Sequence, residues 1–173
     1  MEDIEFVEFV RSFKKGDQSK FDAFYEATKK RVFYNIFSLT KSHEISEDLL
    51  QDTYVQFLKT IDKVDENKSI VGYLMVLSRN LTLDYFKKNN RMNYLEDSNQ
   101  EFKEEDSKDL DKSILVDELN KILKDKEFEI FILHSLNDLS FEEIASLIHR
   151  PLGTVLWSYQ NSLKKIRKEL KYE

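Results

Sequence analysis

The chain has 173 residues, 40% hydrophobic and 35% charged, with three glycines, one proline and no cysteine. So few breakers predict long helices and short loops, the missing cysteine excludes disulfides and thiolate metal sites, and no run approaches the roughly eighteen apolar residues of a membrane span. The net charge of -6 is confined: residues 96–118 hold 3 basic against 10 acidic residues, whereas 1–95 balance 15 against 15 and 119–173 hold 9 against 8. A polar acidic run of this kind reads as a solvated linker. The expected fold is therefore all-α, with two small helical domains, 1–95 and 114–173, joined by an acidic flexible linker, 96–113. The acidic start MEDIEF lacks the basic and apolar regions of a signal peptide, which makes the cytoplasm the expected compartment.

Residues 3–15 are expected to form a first helix with a loose apolar pattern (Ile4, Phe6, Val7, Phe9, Val10, Phe13), ended by Gly16-Asp17. In the next helix Phe21, Phe24, Tyr25, Thr28, Val32, Phe33, Ile36 and Phe37 follow i, i+3, i+4, i+7, i+11, i+12, i+15 and i+16, a stripe suited to a core rather than to a cofactor. The third helix, Glu44 to Ile61, pairs an apolar stripe (Leu50, Tyr54, Phe57, Leu58, Ile61) with an outer face of Asp48, Gln51, Asp52, Val55 and Lys59. Taken alone, such a charged face is ordinarily just solvated. After a loop, Asp62 to Lys68, a fourth helix is expected to bury Ile70, Tyr73, Leu74, Leu77, Leu81 and Tyr85. Asn80, Asp84, Lys87, Lys88 and Arg91 lie on another face. A basic helix end can touch phosphates and an amide can read a base edge, although the helix dipole alone also accounts for C-terminal lysines.

The second domain should open with a helix carrying Ile114, Leu115, Leu119, Ile122 and Leu123, followed by one carrying Phe128, Ile130, Phe131, Ile132, Leu133 and Leu136. The stretch Leu139 to Lys168 then reads as helix-turn-helix. Ser140 and Glu143 have the spacing of a capping box, and Ile144, Leu147 and Ile148 recur on one face. Pro151 cannot lie inside that helix but suits the first turn of the next, so the chain should turn at His149 to Gly153. The second helix is expected to carry Val155, Tyr159, Leu163 and Ile166 inward, and Leu156, Trp157, Gln160, Asn161, Lys164 and Lys165 outward. An ordinary helical hairpin would show much the same pattern.

With these residues in place, the chain resembles a bacterial RNA polymerase sigma factor of the small extracytoplasmic-function type in the sigma-70 superfamily. EDLLQDTYVQFLKTID (Glu47–Asp62) resembles region 2.2, GYLMVLSRNLTLDYFKKNNR (Gly72–Arg91) resembles regions 2.3 and 2.4, and DLSFEEIASLIHRPLGTVLWSYQNSLKKIRKEL (Asp138–Leu170) resembles region 4.2. Their order, with the acidic segment between the second and third, makes the resemblance specific. It implies a factor that binds core RNA polymerase, recognises minus-10 and minus-35 promoter elements and directs transcription initiation, with no cofactor and no membrane insertion. By the same resemblance, Asp48, Leu49, Gln51 and Asp52 would dock on the clamp helices of the polymerase largest subunit, where an acidic face suits a basic partner. Asn67, Lys68, Ser69, Tyr73, Arg79, Asn80, Lys87, Lys88 and Arg91 would hold the melted minus-10 element, since aromatic and basic groups suit single-stranded DNA. Thr154, Leu156, Trp157, Gln160, Asn161, Lys164, Lys165 and Lys168 would meet the minus-35 duplex. An anti-sigma factor is a partner implied by family habit.

The chain departs from the family pattern in three places. Leu156, Trp157 and Ser158 follow Gly153-Thr154-Val155 where Lys, Arg and Arg are frequent, and Asn161 and Leu163 stand where Arg is common. Leu123-Lys124-Asp125 replaces a Leu-Pro opening, and Tyr73 replaces a common Trp. Two other functions compete. A stand-alone helix-turn-helix regulator would need a basic surface for phosphates, but residues 119–173 are nearly neutral. An enzyme would need convergent chemistry, but His43, His134 and His149 lack metal-ligand spacing and no Ser-His-Asp order or phosphate loop is present, so no catalytic or metal residue is expected.

Overall fold

The computed structural model describes residues 3–89 and 107–170. Their regular structure is entirely helical: α1 (Asp3–Lys14), α2 (Phe21–Thr40), α3 (His43–Lys59), a single 3-10 turn (Ile61–Lys63), α4 (Ile70–Asn89), α5 (Ser107–Ile122), α6 (Asp125–Ser135), α7 (Phe141–Ile148) and α8 (Leu152–Glu169). The chain divides into two compact units, Met1–Glu96 and Asp97–Glu173. Helix α5 starts at Ser107, inside the stretch expected to be linker; the part of that stretch it includes, residues 107–113, holds two basic and two acidic residues and so none of its net charge.

The first unit is organised around Phe24, which is fully buried on α2. Phe6, Phe9 and Phe13 of α1 meet it edge-on at 6.0, 5.7 and 5.4 Å between ring centres, and Phe57 of α3 stacks on it at 5.3 Å. Offset and edge-to-face rings add to the burial of so much apolar surface. Gly16, in the left-handed region at φ +80°, ends α1 by returning its N–H to the Phe13 carbonyl. On α2 the residues Phe24, Thr28, Val32, Ile36 and Phe37 are buried, as their spacing predicts.

Helix α4 faces inward on a different stripe from the one expected. Ile70, Val71, Leu74, Met75, Ser78, Arg79, Thr82 and Phe86 are buried, while Tyr73, Leu77, Leu81 and Tyr85 are only partly covered. The cause is a polar seam with α2. Buried Asn35 donates its amide to the Met75 carbonyl and to Ser78 Oγ, each at 2.8 Å, and Thr82 Oγ1 returns to the Ser78 carbonyl at 2.7 Å. A hydroxyl satisfied by the carbonyl one turn back can be buried without penalty, and its small size lets two helices approach.

In the second unit, Phe128, Ile132 and Leu133 of α6, Ile144 of α7 and Val155 of α8 are buried with Val116, Leu119 and Leu123. The capping box at α7 forms as its spacing predicts: Glu143 N–H donates to Ser140 Oγ at 3.1 Å, and Ser140 N–H donates to the Glu143 carboxylate at 2.7 Å. His149 closes α7 in the left-handed conformation and Pro151 is the N-cap of α8. Gly153, expected in the turn, therefore lies in the first turn of α8, because α8 begins at Leu152 directly after Pro151. His134 is structural: its ring stacks on Phe141 at 4.1 Å, and Nδ1 donates to the Leu139 carbonyl at 2.8 Å.

Candidate nucleic-acid interface

Three surfaces gather the residues singled out from the sequence. On α3, Asp48, Gln51, Asp52, Val55 and Lys59 are all exposed, and Val55 keeps 51% of its surface open. Leu49, expected to share this face, is instead buried. The inward side of α3 is two residues wide, with Leu49, Leu50, Thr53, Tyr54 and Phe57 all covered, so the outer face starts at Asp48 and continues at Gln51 and Asp52.

The second surface joins the loop before α4 to the open side of α4. The Asp65 carboxylate accepts the Asn67 N–H at 3.0 Å and its side-chain amide at 3.2 Å, and these bonds hold the Asp65 carboxyl below its ordinary value. Ser69 Oγ accepts the Gly72 N–H at 3.0 Å and so caps α4. A Cβ on Gly72 would come within 3.3 Å of the Ser69 side chain, so glycine there keeps the cap tight. The loop is tied to α1 by Arg11 Nε on the Glu66 carboxylate at 2.7 Å and Lys14 Nζ on the Val64 carbonyl at 2.7 Å. The Arg11 bond is the main reason that the Glu66 carboxyl sits below its usual range. Asn67, Lys68 and Ser69 themselves remain exposed.

Along α4, Tyr73, Val76, Asn80, Asp84 and Lys87 recur at i, i+3, i+7, i+11 and i+14, which places them on one face. Asn80, Lys87 and Lys88 are exposed and Tyr73 is half-buried, its hydroxyl 3.3 Å from Thr60 Oγ1. Arg79, expected on the DNA-contacting side, is instead buried at 7% exposure, because it follows Ser78 on the inward stripe. Arg91 lies outside the described residues. Val76, half exposed between Tyr73 and Asn80, belongs to this face. Its position three residues after Tyr73 and four before Asn80 was the available signal.

The third surface is α8. Thr154, Leu156, Trp157, Gln160, Lys164 and Lys168 are exposed, and Trp157, at 66%, is not part of the unit's core. Asn161 and Lys165 depart from the expected outward placement. Asn161 Nδ2 donates to Glu127 Oε1 at 2.7 Å, and Lys165 Nζ reaches both Glu127 oxygens at 2.8 Å. Glu127 stands at the start of α6, where its carboxylate also accepts the Lys124 N–H at 3.0 Å. Burial alone would raise its pKa, but the bonds from Lys165, the Lys124 backbone and Asn161 outweigh burial and hold it below the ordinary glutamate value. Nothing local in sequence signals a partner 34 or 38 positions away.

The Glu127 carboxyl, with a folded pKa below its unfolded one, stabilises the fold above the ordinary value of 4.5, and that stabilisation is lost as pH falls through the folded pKa. Glu127→Gln is therefore expected to melt below the parent at neutral pH, with the difference in melting temperature shrinking as pH drops under about 4.5. A difference that stays constant between pH 7 and pH 3 contradicts this.

The family described as Sigma-70 region 2 matches residues 24–92, and Sigma-70 region 4 matches residues 115–166. The chain is 25% identical over 180 residues to the ECF RNA polymerase sigma factor SigW of Bacillus subtilis (strain 168), covering 94% of this chain and 95% of that protein. It is 28% identical over 149 residues to the sigma factor SigV of the same organism, covering 83% of this chain and 87% of SigV. The chain belongs to the sigma-70 family, in its extracytoplasmic-function group. As an alternative sigma factor it directs transcription initiation, and the region 2 match sets aside a stand-alone helix-turn-helix regulator.

Solved structures share the sigma fold. The sigma factor RpoE from Bartonella quintana, in complex with the anti-sigma factor NepR, superposes with a TM-score of 0.65 at 20% identity, over 88% of this chain and 98% of that one. CnrH, in complex with the cytosolic domain of CnrY, gives 0.65 at 16% identity over 96% and 97%. The region 2 match contains most of α2 and all of α3 and α4, and with them the first two surfaces; the region 4 match contains most of α8. No helix among the described residues of this sigma factor is long and apolar enough to cross a membrane.

Proposed function

We propose that the three surfaces divide the work of a promoter-specificity subunit in the cytoplasm that performs no chemistry of its own. The α3 face of Asp48, Gln51 and Asp52 docks on the clamp helices of the polymerase largest subunit. The loop Asn67, Lys68 and Ser69, with Tyr73, Asn80, Lys87 and Lys88 on α4, holds the melted minus-10 strand. The open face of α8 enters the major groove of the minus-35 element, with Lys164 and Lys168 on phosphates. An anti-sigma factor is a further proposed partner, as the RpoE structure holds the anti-sigma factor NepR.

The observation that carries this reading is the α4 stripe, where an exposed amide stands between an aromatic ring and a lysine on one helix face. A ring can stack on an extruded base, an amide can pair with a base edge, and a lysine can hold the backbone. Asn80→Ala is expected to lose discrimination at one minus-10 position, at a cost of about 1–3 kcal/mol, measured as open-complex formation on promoters varied base by base. A uniform loss on every promoter contradicts a base-reading role.

A further inference from the structure

We propose that this sigma factor reads its minus-35 element mainly through thymine methyl groups, with Leu156 and Trp157 as the reading side chains; this rests on the assignment of α8 to that element. Two of the groups on α8 best suited to polar readout are engaged elsewhere. The Asn161 amide spends one of its two N–H groups on Glu127, which ties it towards α6, and the Lys165 ammonium is held by both oxygens of the same carboxylate. The open face also carries two adjacent apolar side chains, Leu156 and Trp157. Leu156, Trp157 and Gln160 share it with Lys164, and Leu152 flanks it at 38% exposure.

An exposed indole beside exposed leucines marks an interaction surface. Its surroundings identify the occupant. Arg150, Lys164, Arg167 and Lys168 are exposed around it and supply positive charge for phosphates. An apolar strip framed by cations complements the DNA major groove, where the apolar group on the base edges is the thymine 5-methyl. Gly153 lies on the same face one turn earlier. A Cβ there would have no atom within 4 Å, and its backbone is not in the left-handed region, so nothing among the described residues demands glycine. The absent side chain leaves room for the groove to approach the first turn of α8.

The test begins with holoenzyme selecting duplexes randomised across the minus-35 element. Each thymine in the selected element is then replaced by uracil, which removes only the methyl. At least one such replacement is expected to weaken holoenzyme binding by about fourfold, the worth of one buried methyl-sized group. In Leu156→Ala or Trp157→Ala holoenzyme, the same replacement should have no effect. Both residues are exposed, so the variants should fold, and the uracil effect on the unaltered protein stands independently of them. A selected element lacking thymine, uracil neutral at every position, or a methyl effect that survives both substitutions overturns the proposal. Selection that yields no minus-35 preference at all overturns the α8 assignment beneath it, a result distinguishable from the others. Uracil neutrality with a retained preference would instead indicate a polar reader, and a patch that faces protein rather than DNA.

Discussion

Gln51→Ala combined with Asp52→Lys is expected to lower the affinity for core polymerase on the order of a hundredfold at low salt, while helical circular dichroism and melting temperature stay nearly unchanged. Both residues are exposed on α3, and α3 turns its apolar side into the core through Leu49, Leu50, Tyr54 and Phe57. Surface substitutions of this kind move stability by less than about 0.5 kcal/mol. Against a basic partner, reversing the charge replaces attraction with a like-charge contact that costs several kcal/mol. The deficit should narrow as salt is raised, because exposed charges are screened. Titration of labelled protein with core polymerase checks this. An unaltered affinity removes the face from the mechanism, and a collapsed melting temperature shows that the face is internal.

Phe24→Ala should produce the largest loss of stability in the chain, about 3–5 kcal/mol, the range for truncating a buried aromatic side chain. The ring is fully buried and meets Phe6, Phe9 and Phe13 on one side and Tyr54 and Phe57 on the other. Its removal leaves a cavity bounded by large rigid rings, which collapse poorly into the gap. Function should fall with it, since Phe57 and Tyr54 of α3, the helix that carries Gln51 and Asp52, pack directly on Phe24. Denaturant unfolding monitored by circular dichroism measures the effect. A cost under about 1 kcal/mol contradicts the organisation described for this core.

Much of this architecture was legible in the chain. The aromatic spacing of α2 specified its buried face, and Ser140 with Glu143 specified the start of α7, because both signals are confined to one helix. The departures on α4 share a physical cause. Ser78, Thr82, Thr53 and Ser162 are buried hydroxyl residues, and a reading based on apolar periodicity treats them as surface. The hydroxyls of Thr82, Thr53 and Ser162 each return to a carbonyl four residues earlier, so burial costs them little. Missing Ser78 and Thr82 turned the expected α4 stripe and put Arg79 on the wrong side. Leu49 is covered because α3 buries two adjacent rows rather than one. Asn161 and Lys165 are less open than their spacing predicts for another reason: their partner Glu127 is distant in sequence and joins them only when α6 and α8 pack.

Promoter recognition is expected of the complex with polymerase and not of this chain alone. The measurement is transcription in vitro, with and without core polymerase, on a promoter mapped from the host, alongside gel shift of the same duplex at physiological salt. The expected result is specific initiation and strand opening only when both proteins are present, with weak duplex binding by the isolated chain, whose 119–173 segment carries 9 basic against 8 acidic residues. Tight sequence-specific binding by the chain alone, or core polymerase left unredirected by it, would contradict the account.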